Sequence, residues 1–179
     1  MTQRNASAFS DLLADARHSV VRVEMRDHSG VESEAAEFAA WREHRTIAPD
    51  AVENARPWTE MIQSAVRRGV RVQRARIVSL PPSEYIRFEH ASTFVNLAAG
   101  EEVRQLPRRL ATGLALPGTD FWLFDDRLIR FGHLSGDGAV IGHELNDDPA
   151  TVRLYSAAFD AIWKLATSAR EVRDLSTVT

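Results

Sequence analysis

Five arginines fall within ten residues, at Arg67, Arg68, Arg71, Arg74 and Arg76. A guanidinium is a planar fork of donors suited to carboxylate or phosphate oxygens, so this run is the first place to look for anion chemistry. Arg67 and Arg68 close a helical stripe, where cations complement the helix dipole, and they are read as structural. Past Gly69 the pattern becomes that of a strand, whose side chains alternate between faces. Val72, Arg74, Arg76 and Val78 then share one face, and Arg71, Gln73, Ala75 and Ile77 the other. Neither face is wholly apolar. Arg74 and Arg76 are expected either to pair with carboxylates across the sheet or to meet an anionic ligand. Arg104, Arg108 and Arg109 make a second basic group around Leu106-Pro107 that could extend an anion-binding face.

Asp120, Asp125 and Asp126 flank the apolar run Phe121-Trp122-Leu123-Phe124. Converging oxygens of this kind can hold a hard metal, but Asp125-Asp126-Arg127 between two apolar runs reads more simply as a polar turn. His133 and His143 flank Ser135-Gly136-Asp137-Gly138. With the turn centred on Gly136-Asp137, His133 faces Val140 and His143 faces Arg130, on opposite faces, so one zinc cannot take both. The remaining histidines are scattered, and Gly136, Gly138 and Gly142 sit on a hairpin rather than in a dinucleotide loop. There is no nucleophile elbow and no phosphate-binding loop. No metal and no cofactor is expected. The candidate ligand or partner contacts are Arg74, Arg76, Arg104, Arg108, Asp120, Trp122 and Asp126.

Helices and strands must position these residues. Phe9, Leu12, Leu13 and Ala16 have helical spacing, Val20 to Met25 alternates as a half-buried strand, and Glu32 to His44 reads as a helix burying Ala35, Phe38 and Trp41. Thr46 to Pro57 reads as a connection. A clear helix then runs from Pro57 to its stop at Gly69, followed by a strand from Val70 to Ser79. Another helix runs from Pro82-Ser83 to near Gly100. Short strands are expected at Val103 to Leu106, Phe121 to Phe124, Leu128 to Leu134 and Ala139 to Leu145. Asp148 and Pro149 open a last helix, and the tail from Ser168 is polar and expected to fray. The order predicts a mixed α/β fold, with helices packed on a mixed, largely antiparallel sheet. One domain of residues 1–179 is expected, with a helix-strand-helix layer at 6–45 and a main body at 57–167.

Composition narrows the classes. A chain of 179 residues can bury roughly 70% of its unfolded surface without a disulfide or metal staple. The absence of cysteine excludes disulfide scaffolds, thiolate metal sites and a cysteine nucleophile. Without a membrane span or an apolar leader, a cytoplasmic protein is expected. Of 22 basic residues only Lys164 is lysine, a skew that a GC-rich genome explains. With a net charge of −3 and acids throughout the chain, direct nucleic-acid binding is not expected.

Several blocks carry a family resemblance: Val23-Glu24-Met25-Arg26-Asp27, Phe38-Ala39-Ala40-Trp41, Arg68-Gly69-Val70-Arg71-Val72 and Ala75-Arg76-Ile77-Val78-Ser79. They continue with Tyr85-Ile86-Arg87-Phe88-Glu89, Gly100-Glu101-Glu102-Val103-Arg104 and the stretch from Leu116 to Asp126. Together, from about Phe9 to Ala166, they resemble an actinobacterial family of small proteins of unknown function encoded beside helix-turn-helix regulators. From Trp58 onward the chain also resembles half of a phospholipase D-like domain, ending in a helix with Phe159 and Trp163. In active members of that family an HxK motif supplies a histidine nucleophile and a phosphate-holding lysine. Here Asp120 and Trp122 stand in those places, so the resemblance implies a scaffold without phosphodiesterase chemistry.

These readings lead to a non-enzymatic regulatory or interaction protein. It would act with a helix-turn-helix transcription factor, possess a homodimeric form, and serve as sensor of a small anionic ligand. The chain has no convincing helix-turn-helix of its own, because Gly30, Gly69 and Gly100 are not followed by a basic recognition helix. The alternative is a small enzyme of secondary metabolism acting on an anionic molecule, with Arg74, Arg76 and Arg108 holding the anion and Asp120 or Asp126 as general base.

Overall fold

The structure is a computed structural model and describes residues 8–28, 32–136 and 139–172. A short helix, α1 (Phe9–Asp15), leads into β1 (Ser19–Glu24), and α2 follows at Glu32–His44. On α2 Trp41 is buried and Phe38 half-buried, but Ala35 is exposed. The stretch expected to be a connection instead holds α3 (Pro49–Asn54) and the start of α4 (Arg56–Arg67). Six residues make fewer than two turns, too few to show an apolar period. Gly69, with φ +88°, lets the chain leave α4 for β2 (Arg71–Val78). The Ser83 hydroxyl accepts the Ile86 N–H and caps α5 (Glu84–Ala98). Next come β3 (Glu102–Pro107), a single 3-10 turn at Arg108–Ala111, and the strands β4 (Phe121–Phe124), β5 (Leu128–Leu134) and β6 (Val140–Asn146). The Asp148 carboxylate accepts the Thr151 N–H at the start of α6 (Pro149–Leu165), and β7 (Thr167–Ser168) follows.

All the strands join one sheet in the order β6-β5-β4-β1-β2-β3-β7. The β1, β2 and β3 strands run parallel, and every other pairing is antiparallel. The mixed, largely antiparallel sheet is thus as expected. The segment at 6–45 contributes β1 to its centre, between β4 and β2. The tail is not frayed where it begins. Ser168 pairs with Arg104, the Ala169 N–H donates to the Val103 carbonyl at 2.9 Å, and Val172 is buried against Val78 and Ile86. Residues 173–179 lie outside the described residues.

The hairpin register differs from expectation by two residues. His133 lies opposite Gly142 and His143 opposite Gly132: Leu134 already pairs one residue further on, with Val140, and the irregularity between His133 and Leu134 adds the second residue. The two histidines still sit on opposite faces, as adjacent positions along a strand must. Asp137 and Gly138 of the expected turn lie outside the described residues.

The sheet has a core on each side. On one face Val21, Val23, Ala75, Ile77, Phe121 and Leu123 pack against Phe159 and Ile162 of α6. On the other, Val20, Val72, Trp122 and Phe124 pack against α1 and α4 through Leu13, Ile62 and Ala65. No described helix is long and apolar enough to cross a membrane.

Asp125 fastens the β4–β5 turn to the start of β1. At φ +52°, its carboxylate accepts the N–H groups of Arg17, His18 and Ser19 at 3.0, 2.8 and 2.9 Å. Burial alone would raise its pKa, but the three N–H donors more than offset this and lower it. A depressed folded pKa stabilises the protein above the ordinary aspartate value, and that stability is lost as pH falls through the folded value. Asp125→Ala is expected to lose about 2 kcal/mol in urea unfolding at pH 7 and to flatten the acid limb of the stability profile. An unchanged profile would refute this role.

Candidate functional site

Strand alternation that sends Val21, Val23, Ala75 and Ile77 into the α6 core must send Arg22, Glu24, Arg74 and Arg76 to the opposite face. There the register lays out two rows across the sheet. One reads Val103, Arg74, Arg22, Trp122, Arg130 and Leu145 from strand to strand. The next, nearer the C-terminal ends of the parallel strands, reads Gln105, Arg76 and Glu24. Asp120 stands just before β4 on the same side, where its oxygens meet β1's exit.

Carboxylates engage every arginine around the centre of these rows. Arg74 donates through Nε to Glu101 Oε1 at 2.7 Å and through Nη1 to Glu24. Arg76 donates to Glu24 Oε2 at 2.9 Å, reaches Glu89 Oε2 at 2.7 Å and donates to Thr93 Oγ1 at 2.7 Å. Arg22 meets Glu24 Oε1 at 3.3 Å and Asp120 Oδ2 at 3.8 Å. The Asp120 carboxylate also accepts Arg26 Nε on Oδ2 at 3.1 Å and the Met25 N–H on Oδ1 at 3.0 Å. Of the two alternatives open to Arg74 and Arg76, pairing across the sheet is the one realised.

The charges reinforce one another. Burial alone would raise the Glu24 carboxyl, but Arg74, Arg76 and Arg22 together hold it well below the usual carboxylate range. Burial alone would likewise lower the Arg74 guanidinium, and Glu101 and Glu24 more than reverse it. Glu101 reaches Arg74 because of the turn before it. Gly100 has φ +91°, and the Glu101 N–H returns to the Asn96 carbonyl at 3.1 Å, closing α5 in a Schellman-like turn. A Cβ on Gly100 would also meet Val66 Cγ1 at 3.2 Å.

Over this face, beneath α2, α3, α4 and α5, lies a cavity of about 340 Å³. Its charged lining is Arg22, Arg26, Arg74, Arg76, Glu24, Glu34, Glu37 and Glu89, and its aromatic walls are Trp58, Tyr85, Phe88 and Trp122. No histidine or lysine lines it. Trp122 is flanked by the Arg22 and Arg74 guanidinium carbons at 5.1 and 5.4 Å from its ring centre. Burial and the neighbouring Glu89 raise the Glu34 carboxyl, against the pull of the Tyr85 hydroxyl, which donates to it at 3.0 Å. Asp120 lines a much smaller pocket of about 30 Å³ beside Arg26 and Arg76.

Four expected contacts therefore gather at this place: Arg74, Arg76 and Trp122 on the cavity and Asp120 beside it. The other three do not. Arg104 lies against α6, stacked at 4.4 Å on Trp163 and donating to its carbonyl at 3.0 Å. Arg108 ties the strand ends together, donating to Ser79 Oγ at 2.9 Å, Asp27 Oδ2 at 3.1 Å and the Met25 carbonyl. Asp126, exposed at the far end of β4 from Asp120, accepts the Ser156 hydroxyl at 2.8 Å. Sequence reasoning missed Glu24, Glu34, Glu37, Glu89, Glu101 and Trp58. The Arg22-Glu24 alternation opposite Arg74-Arg76 was the available signal, since aligned parallel strands bring such pairs together. Arg130 differs from the others: its Nε is buried without a hydrogen-bond partner among the described residues, and burial with Arg22 nearby lowers its pKa. No group of three described His, Asp or Glu side chains converges as a metal site would require.

No curated protein matches the chain. Among solved structures it is similar to Nuc, a phospholipase D family member from Salmonella typhimurium, at 12% identity and a TM-score of 0.50. That match covers 89% of this chain and 86% of Nuc, so the phospholipase D-like fold extends beyond the second half. The chain is also similar to TrmBL2, an archaeal chromatin protein whose structure shows a mode of DNA binding, at 15% identity and a TM-score of 0.48. The match covers 88% of this chain and spans about half of TrmBL2, 47%. A family model described as "Domain of unknown function (DUF6879)" matches residues 7–174, and the protein belongs to that family.

Proposed function

We propose that the protein is a non-enzymatic regulatory protein that senses a small molecule in the cavity between the sheet and α2–α5. In this reading it works as a homodimer with a helix-turn-helix DNA-binding partner. The observation that carries the sensing role is the cavity itself, about 340 Å³ walled by four aromatic rings, a size and lining typical of small-molecule sites. The groups around it favour binding over catalysis. Asp120, one of the two expected general bases, has each carboxylate oxygen engaged, and Asp126, the other, lies away from the cavity on Ser156. Of the expected anion-holding arginines, Arg74 and Arg76 are engaged with glutamates and Arg108 with Asp27. The partner class rests on the family resemblance. The chain also presents the outer edge strand β6 with Ile141 67% exposed, a surface on which subunits could meet.

The test is a thermal-shift screen of the pure protein against nucleotides, anionic metabolites and amines, repeated on Ala55→Trp, which places an indole into the cavity. A ligand at a hundredfold excess over its Kd should add about 2.7 kcal/mol of stability. That gain should vanish in Ala55→Trp and should change complex formation with the DNA-binding partner. Steady turnover of any compound by the pure protein would overturn the non-enzymatic reading, and a screen with no stabilising compound would overturn the sensing role.

A further inference from the structure

We infer that the cavity selects a positively charged organic ligand, an amine or guanidine with a flat apolar body, with Glu34 and Glu37 as the groups that recognise the charge. This rests on the cavity being a ligand site and adds what the ligand must be. The charges around the cavity nearly all cancel. Among the described residues, Arg22, Arg26, Arg74 and Arg76 are matched in number by the four carboxylates that bind them, Glu24, Glu89, Glu101 and Asp120. Each of those carboxylates touches at least one arginine within 3.3 Å, so the set is neutral as it stands. An anion seeking Arg74 or Arg76 would have to compete with a carboxylate already held by a buried guanidinium.

Two carboxylates of the lining lie outside that balance. Glu34 accepts the Tyr85 hydroxyl at 3.0 Å, and Glu37 accepts the Asn54 side-chain amide at 3.4 Å. Among the described residues no cation comes within 4.0 Å of either, although both line the cavity. They stand one helical turn apart on α2, at positions i and i+3, and so occupy one side of it. Within the same cavity, Tyr85, Phe88, Trp58 and Trp122 supply ring surface. Surplus negative charge beside aromatic walls is the environment that binds ammonium and guanidinium groups, through charge-assisted hydrogen bonds and the ring faces.

The test uses probes that share a body and differ in charge: tryptamine, tryptophol and indole-3-acetate, with benzylamine, benzyl alcohol and benzoate as a smaller set. Isothermal titration should give each amine about tenfold or more the affinity of its alcohol, with the carboxylate weakest. Glu34→Gln with Glu37→Gln should bring the amine-to-alcohol ratio close to one. Glu43→Gln, on an exposed part of α2, should leave it unchanged. Glu37→Gln alone serves the same purpose should the double variant not fold. Equal affinity for amine and alcohol, all lost in Ala55→Trp, would overturn the charge assignment and leave the sensing role standing. Amine binding that survives Ala55→Trp would overturn the assignment to this cavity. Preference for the carboxylate, or no binding by any probe, would overturn the inference as well.

Discussion

Glu101→Ala is expected to reduce the unfolding free energy by about 3–5 kcal/mol, the range for removing one partner of a buried ion pair. Glu101 is 1% exposed and its carboxylate takes Arg74 Nε at 2.7 Å and the Asn96 amide at 2.7 Å. Its loss leaves the guanidinium with Glu24 alone and the Asn96 amide without that acceptor. Glu101→Gln keeps the shape and one acceptor, so its loss should be smaller. Arg74→Met combined with Glu101→Leu removes both charges together and should be more stable than Glu101→Ala. Urea unfolding of the three variants decides the matter. A Glu101→Ala loss under about 1 kcal/mol would show that water, not the fold, supports Arg74.

Phe121→Ala should be comparably damaging through a different mechanism. Phe121 has no exposed surface, lies in the α6-side core and meets Tyr155 edge-on at 4.8 Å with rings at 90°. Deleting its ring forfeits burial and leaves a void that β4, paired on both sides, cannot collapse to fill. The expected loss is about 3–5 kcal/mol, or roughly 6–20 °C in Tm by calorimetry. The cavity proposed to hold a ligand is on the opposite face, so any binding there, measured well below the transition, should persist. Loss of binding in a variant that is still folded would mean that the two faces are coupled.

What the sequence reveals and conceals follows from how far each cause reaches. The helix ending at Gly69 was legible because its apolar stripe and its stop lie within one local window. So was the placing of Arg74 and Arg76 on one face, which needs only strand alternation. The six-residue α3 was not, for it carries little more than one turn of periodic signal. One residue of the hairpin's two-residue slip comes from an irregularity between His133 and Leu134, a property of the pairing that is invisible to turn composition. The arginines' partners were hidden for a similar reason. Glu24 and Glu101 reach Arg74 from different elements, brought together by sheet register and by the turn at Gly100. Four expected contacts gathered at the site because neighbouring strands carry them. Arg104, Arg108 and Asp126 shared only a charge type with the rest, and charge alone does not locate a residue.

The central position of β1 also bears on how the molecule is made. Val20 has Val72 on one side and Phe124 on the other. On the ribosome β1 can therefore find β2 while β4 is still to come, and it must wait for that second neighbour. Until Phe124 emerges, an apolar strand edge meant for the middle of the sheet stays open to any other nascent strand. Such long-range pairing makes for slow folding. The hazard for this protein thus falls during synthesis, in the interval before β4 has left the tunnel.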